Sequence, residues 1–127
     1  MQVDNIETSI GTIMMRPDGI VMMDLRDNMK IEIVEISEFY NALAKLTGGK
    51  RCLLLVQTGQ GSTSSREARE FAANYRKKGI IAQAVIANNL AHKLLANFYL
   101  RFHKPSQPMQ IFSTEEEGLH WLQKFNN

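Results

Sequence analysis

Cys52-Leu53-Leu54-Leu55-Val56 is an unbroken apolar run, the pattern of a strand covered on both faces. Ile80–Ala87 repeats it, interrupted only by Gln83. Elsewhere the apolar positions fall at helical spacing. Ile36, Phe39, Tyr40, Leu43 and Leu46 make one stripe, and Ala68, Phe71, Ala72 and Tyr75 a second. Leu90, Leu94, Leu95, Phe98 and Phe102 make a third, and Leu119, Trp121, Leu122 and Phe125 a fourth. Thr8–Arg16 and Gly19–Leu25 read as two strands, Met109–Phe112 as a short last one, and Ile31 and Ile33, alternating with Lys30 and Glu32, as a short extended piece before the first helix.

The polar residues between these segments set their ends. Arg16-Pro17-Asp18-Gly19 is a hairpin turn, with Pro presetting φ and Gly supplying a positive one. Gly48-Gly49 closes the first helix, and Ser64 with Glu67 has the spacing of a capping box for the second. Arg76-Lys77-Lys78-Gly79 places positive charge where that helix ends. Asn88-Asn89 turns the chain and offers a cap, Lys104-Pro105-Ser106-Gln107-Pro108 stops the third helix, and Ser113-Thr114 with Glu116 and Glu117 starts the fourth. The order is strand, strand, helix, then strand and helix alternating. It predicts one α/β domain over residues 1–127, built as ββαβαβαβα. Its sheet is expected to be five-stranded and mixed, mostly parallel, with the first strand antiparallel at an edge.

A chain of 127 residues, 44% hydrophobic and 22% charged, can bury a core without metals or disulfides. A net charge of +2 does not point to nucleic acid. Cys52 is the only cysteine, so no internal disulfide forms and a cytoplasmic location is expected. The first residues, Met1-Gln2-Val3-Asp4-Asn5, lack the basic and apolar pattern of a signal peptide, and no apolar run is long enough to insert stably in a membrane.

Four stretches resemble the SpoIIAA-like branch of the STAS family, which is related in fold to CRAL-TRIO domains. They are Leu46-Thr47-Gly48-Gly49-Lys50-Arg51 before the central strand, the helix start Ser65–Glu70, Asn97-Phe98-Tyr99-Leu100-Arg101-Phe102, and Ile111-Phe112 with Trp121-Leu122. The resemblance implies a βα superhelix and no catalytic residues. In STAS domains that oppose anti-sigma factors, a phosphorylatable Ser, usually preceded by Asp, stands where Ser62, Thr63, Ser64 and Ser65 stand here. Gly61 precedes Ser62 instead.

Two candidate surfaces follow. The loop Gly59, Gly61, Ser62, Thr63, Ser64, Ser65 with Arg66 sits between a strand end and a helix start, suited to an anion or to regulatory phosphorylation; its plain alternative is a capping loop. Met14, Met15, Met22 and Met23, with Tyr99, offer an apolar face for a homodimer contact or a ligand pocket; core filling is the alternative. Arg66, Arg69, Arg76, Lys77 and Lys78 read as a solvated helix face, as do Lys93, Arg101, His103 and Lys104. His92, His103 and His120 share no metal-ligand spacing, no nucleophile–base set is apparent, and Cys52 reads as a small buried hydrophobe. The expectation is therefore a regulatory or protein-interaction module without catalysis, cofactor or metal, which binds a protein partner and pairs with itself. The alternative is a small carrier or sensor of an apolar or anionic metabolite.

Overall fold

The computed structural model describes residues 5–57, 59–102 and 106–126; the side chains of residues 95, 98–100 and 102 lie outside the description. The strands are β1 (Asn5–Thr8), β2 (Gly11–Met15), β3 (Val21–Leu25), β4 (Lys30–Ile31), β5 (Cys52–Gln57), β6 (Thr63–Ser64), β7 (Ile80–Ile86) and β8 (Met109–Phe112). The helices are α1 (Ile33–Thr47), α2 (Arg66–Gly79), α3 (Leu90–Phe102) and α4 (Glu115–Leu122), the last running into a 3-10 turn at Gln123–Phe125.

The α/β class, the mostly parallel sheet and the order of helices are as the pattern predicts. The main sheet has six strands rather than five, in the order β1-β2-β3-β5-β7-β8. The strand expected at Thr8–Arg16 begins only at Gly11, and an unpredicted strand, Asn5–Thr8, folds back on it at Ser9-Ile10, with Thr8 paired to Gly11. Gly11 is needed where β2 passes β3, because a Cβ there would overlap the Asp24 carbonyl, and the fold-back is held by Thr8 Oγ1, which donates to the Gly11 carbonyl oxygen at 2.8 Å. β1, β2 and β3 are antiparallel; β3, β5, β7 and β8 are parallel. The short extended piece forms only over Lys30–Ile31, since Glu32 already caps α1 and Ile33 begins it, and it pairs in parallel with a strand the pattern did not predict, Thr63–Ser64.

The hairpin turn forms as read. Gly19 takes φ +88° and donates to the Arg16 carbonyl oxygen at 2.9 Å. Burial works against the Asp18 carboxylate, but hydrogen bonds from Arg16 and the Ile20 N–H outweigh it and hold its pKa below the ordinary value. Gly48, at φ +64°, ends α1. The cap of α2 is one residue later than its spacing predicts. Ser64 is held in extended pairing, Ser65 N donates to the Ile31 carbonyl, and Ser65 Oγ accepts from Ala68 N at 3.1 Å. Thr114 caps α4 by accepting from Glu117 N at 3.2 Å.

The parallel strands advance in one direction, so right-handed crossovers put α1, α2 and α3 on the same face. The chain then leaves the β8 edge and lays α4 on the other. β5 is divided accordingly: Cys52, Leu54 and Val56 join the core under α1 and α2, while Leu53 and Leu55 join the core with Leu122 of α4. Two residues of the third apolar stripe do not sink as expected. Leu90 and Leu94 are 72% and 60% exposed. Leu95, Phe98 and Phe102 of that stripe lie outside the described side chains.

Candidate functional site: a cavity beneath three helices

Two cross-sheet rows of side chains form a floor on the α1–α3 face. In register from β3 to β8 the first row is Met23, Val56, Val85 and Ile111, and the second is Val21, Leu54, Gln83 and Met109. At roughly 4.8 Å between strands each row spans roughly 14 Å. All but Val21 and Leu54 line a cavity of about 320 Å³. Its roof is Ile36, Phe39 and Tyr40 from α1, Ala68 and Ala72 from α2, and Ala96 from α3. The space exists because α2 and α3 contribute alanines here. A methyl group cannot reach across a layer spacing of roughly 10 Å set by bulkier neighbours.

The polar members of the wall are few: Tyr40, Ser64, Arg69, Arg76 and Gln83. Gln83 is only 8% exposed, and its Oε1 is buried without a hydrogen-bond partner among the described residues. The same holds for Arg76 Nε. Arg69 is seven residues before Arg76 on α2, roughly 10 Å along the helix axis, and its guanidinium donates to the Ser64 carbonyl oxygen at 2.6 Å. Burial drives the Tyr40 phenol above its ordinary pKa, and the hydrogen bond and positive charge of Arg76 pull the other way. No carboxylate, imidazole or thiol lines the cavity among the described residues, and among them no group of side chains could hold a metal ion.

The Gly/Ser loop lies at one end of this space but is largely tied to the segment 26–31. Ser62 Oγ accepts from Met29 N at 2.9 Å and donates to the Arg26 carbonyl oxygen at 3.1 Å. Gln60 N donates to Asp27 at 2.8 Å, and Thr63 N to the Met29 carbonyl oxygen at 2.9 Å. Gly59 packs against the Arg26 carbonyl so closely that a Cβ would overlap it, and Gly61 takes φ +73°. Ser65 is the cap of α2, and Arg66 pairs with Glu70 at 2.9 Å in an exposed i,i+4 bridge. Of this loop only Ser64 enters the cavity wall.

The four methionines divide between the faces. Met23 is buried in the cavity wall, and Met15 packs against the same core. Met22 packs on the α4 side, and Met14, its partner across β2 and β3, is 42% exposed. The Tyr99 side chain lies outside the described residues. Cys52 is buried, and burial pushes its thiol up to about 11. The pattern missed Arg76 as a wall residue, because a cation in the last turn of a helix already has a reason to be there. Gln83 did leave a signal, as the one polar interruption of an apolar strand.

A family described as a domain of unknown function (DUF7793) matches residues 13–126 of the chain. No curated protein matches. The crystal structure of an uncharacterized protein from the DUF3478 family, with a SpoIIAA-like fold, from Shewanella loihica PV-4, superposes with a TM-score of 0.64 at 14% identity, covering 96% of this chain and 99% of that one. A protein with unknown function from Arthrobacter sp. FB24 is similar over 87% of this chain and 97% of that one, with 19% identity and a TM-score of 0.31. The Shewanella structure shows the fold to be SpoIIAA-like, as the four stretches imply. No helix among the described residues is long and apolar enough to cross a membrane.

Proposed function

The chain belongs to the DUF7793 family of domains of unknown function, and from that premise we propose that it binds a small, mainly apolar molecule in the cavity under α1, α2 and α3, as a carrier or sensor and without turnover. The cavity itself carries this reading. Its volume of about 320 Å³ is at the lower end of small-molecule sites, which span roughly 300–1,000 Å³. Its wall has the composition such sites share, mostly apolar with a few convergent polar groups. Regulation through a protein partner is compatible with it, since occupancy can bias an outer surface. Calorimetric titration of the full chain with 1-octanol tests it. Saturable uptake of one molecule per chain is expected, and Ala72→Phe, which fills the space, is expected to abolish uptake with the far-ultraviolet dichroism unchanged. An unmutated chain that takes up neither 1-octanol nor octanoate would remove the reading.

A second reading, self-association, has its own observation. Leu90, Leu94 and Val34 are at least 60% exposed, more than isolated surface leucines or valines need to be. Light scattering is expected to give twice the 14.4 kDa chain mass for the unmutated protein, and the single-chain mass for Leu90→Lys with Leu94→Lys. A single-chain mass for both would dismiss the dimer.

A further inference from the structure

Gln83 stands in the middle of an apolar row, between Leu54 and Met109 in register, and is more than nine-tenths buried. Its carbonyl oxygen has no partner among the described residues, and neither does Arg76 Nε, although both side chains line the same cavity. Buried polar atoms are normally satisfied, so two orphans on side chains of one cavity wall mark that wall as the place for a ligand's polar group. The pair differs in kind. Arg76 offers N–H donors and a permanent positive charge, and among the described residues no carboxylate is paired with it. Gln83 offers an amide, which both donates and accepts. A partly buried guanidinium in an apolar space favours an anion strongly, because little water is there to screen the charge.

Resting on the reading of the cavity as a ligand site, we infer that the ligand is a medium-length organic monocarboxylate. Its carboxylate is held by the Arg76 guanidinium, and Gln83 binds beside it. The apolar remainder lies along Met23, Val56, Val85 and Ile111, the row in front of Gln83. Size limits the chain. About 320 Å³ holds roughly ten groups of water size, at about 30 Å³ each in liquid. That suits an octanoate-sized molecule and leaves much of a long-chain acid outside. Of the two cations in the wall, Arg69 is exposed and already donates to the Ser64 carbonyl oxygen, so Arg76 alone selects one carboxylate rather than two, and selects against an amine.

The test compares octanoate, 1-octanol and octylamine by calorimetry on the full chain near neutral pH. Octanoate is expected to bind at least tenfold more tightly than octanol, and octylamine more weakly than either. In Arg76→Met, which keeps the apolar stem and removes the charge, the preference for octanoate is expected to vanish while octanol still binds. Equal affinities for octanoate and octanol in the unmutated chain would overturn the inference and leave the apolar cavity standing. So would a preference that survives in Arg76→Met. Absence of binding by all three would overturn both readings. If Arg76→Met does not fold, the octanoate-to-octanol ratio on the unmutated chain decides alone.

Discussion

The ring of Tyr40 stacks on that of Tyr75, centroids 4.5 Å apart and planes 27° from parallel. Both phenols are raised by burial, and negative charge on Cys52 would raise them further. Tyr40 thereby joins the cavity wall to the packing between α1 and α2. These three groups make the fold sensitive to alkali. The unfolded Cys52 thiol ionises near 9.0 and the folded one only near 11. Between those values the unfolded chain has released a proton that the folded chain keeps, so rising pH favours unfolding. The contribution is complete below 9.0 and is lost as pH climbs to about 11. Two pH units correspond to roughly 2–3 kcal/mol. Tyr40 adds to the loss above its ordinary value of 10.0. Urea unfolding at successive pH values is expected to show this decline, with a shallower slope in Cys52→Ala. An unchanged slope in that variant would refute the assignment.

Two glycines make opposite predictions. A Cβ at Gly118 would sit 2.8 Å from Ile86 Cδ1 and 3.2 Å from Leu55 Cδ1, both ends of flexible side chains. Alanine in a helix is favoured over glycine by about 1 kcal/mol, which offsets the crowding. Gly118→Ala is therefore expected within about 1 kcal/mol of the unmutated chain, whereas Gly118→Leu loses about 2–3 kcal/mol by overpacking α4 on the sheet. A Cβ at Gly59 meets the Arg26 carbonyl, which is backbone and cannot swing aside. Gly59→Ala is expected to lower the urea midpoint well below that of Gly118→Ala, and the reverse order would contradict this packing.

The hydroxyl-rich loop separates residue by residue. Ser65→Ala removes the α2 cap and is expected to cost about 1 kcal/mol. Ser62→Ala removes the acceptor of Met29 N as well as a bond to Arg26, and an unpaired donor there costs about 1–3 kcal/mol. Thr63 is exposed, and Thr63→Ala is expected to change stability by under about 0.5 kcal/mol. Equal midpoints for all three variants in chemical unfolding would show that the loop is not tied down as described. A phosphate on Ser62 would break two of these bonds, so regulation there would act by loosening residues 26–31.

What could be read in advance divides along physical lines. Cys52–Val56, the Arg16–Gly19 turn and the α4 cap each carry their whole cause within a few residues, and each forms as the pattern predicts. The fold-back at Ser9-Ile10 does not, because the Gly11 that follows it is required by the Asp24 carbonyl of another strand. The exposure of Leu90 and Leu94 depends on what packs against the first turns of α3, which helical period cannot express. The cavity was least legible of all. It is made by alanines on two helices and by a row register across four strands, and no local motif records either. Of the residues singled out beforehand, Met23 and Ser64 line it; Met22 lies across the sheet.

The cavity's two orphan polar atoms have a consequence that needs no ligand. A buried amide whose carbonyl oxygen is unsatisfied carries a standing cost, about 1–3 kcal/mol, that an apolar side chain of similar length would not incur. Gln83 lies between Leu54 and Met109 in register, so leucine there would complete an apolar row. Gln83→Leu is accordingly expected to raise the unfolding free energy of the empty protein by about 1–3 kcal/mol, seen as a higher urea midpoint at unchanged slope. It is expected at the same time to weaken octanoate binding. Stability that rises as binding falls is the behaviour of a residue retained for a ligand rather than for the fold. A lower midpoint would mean that Gln83 is satisfied in solution and that its place in the row is structural.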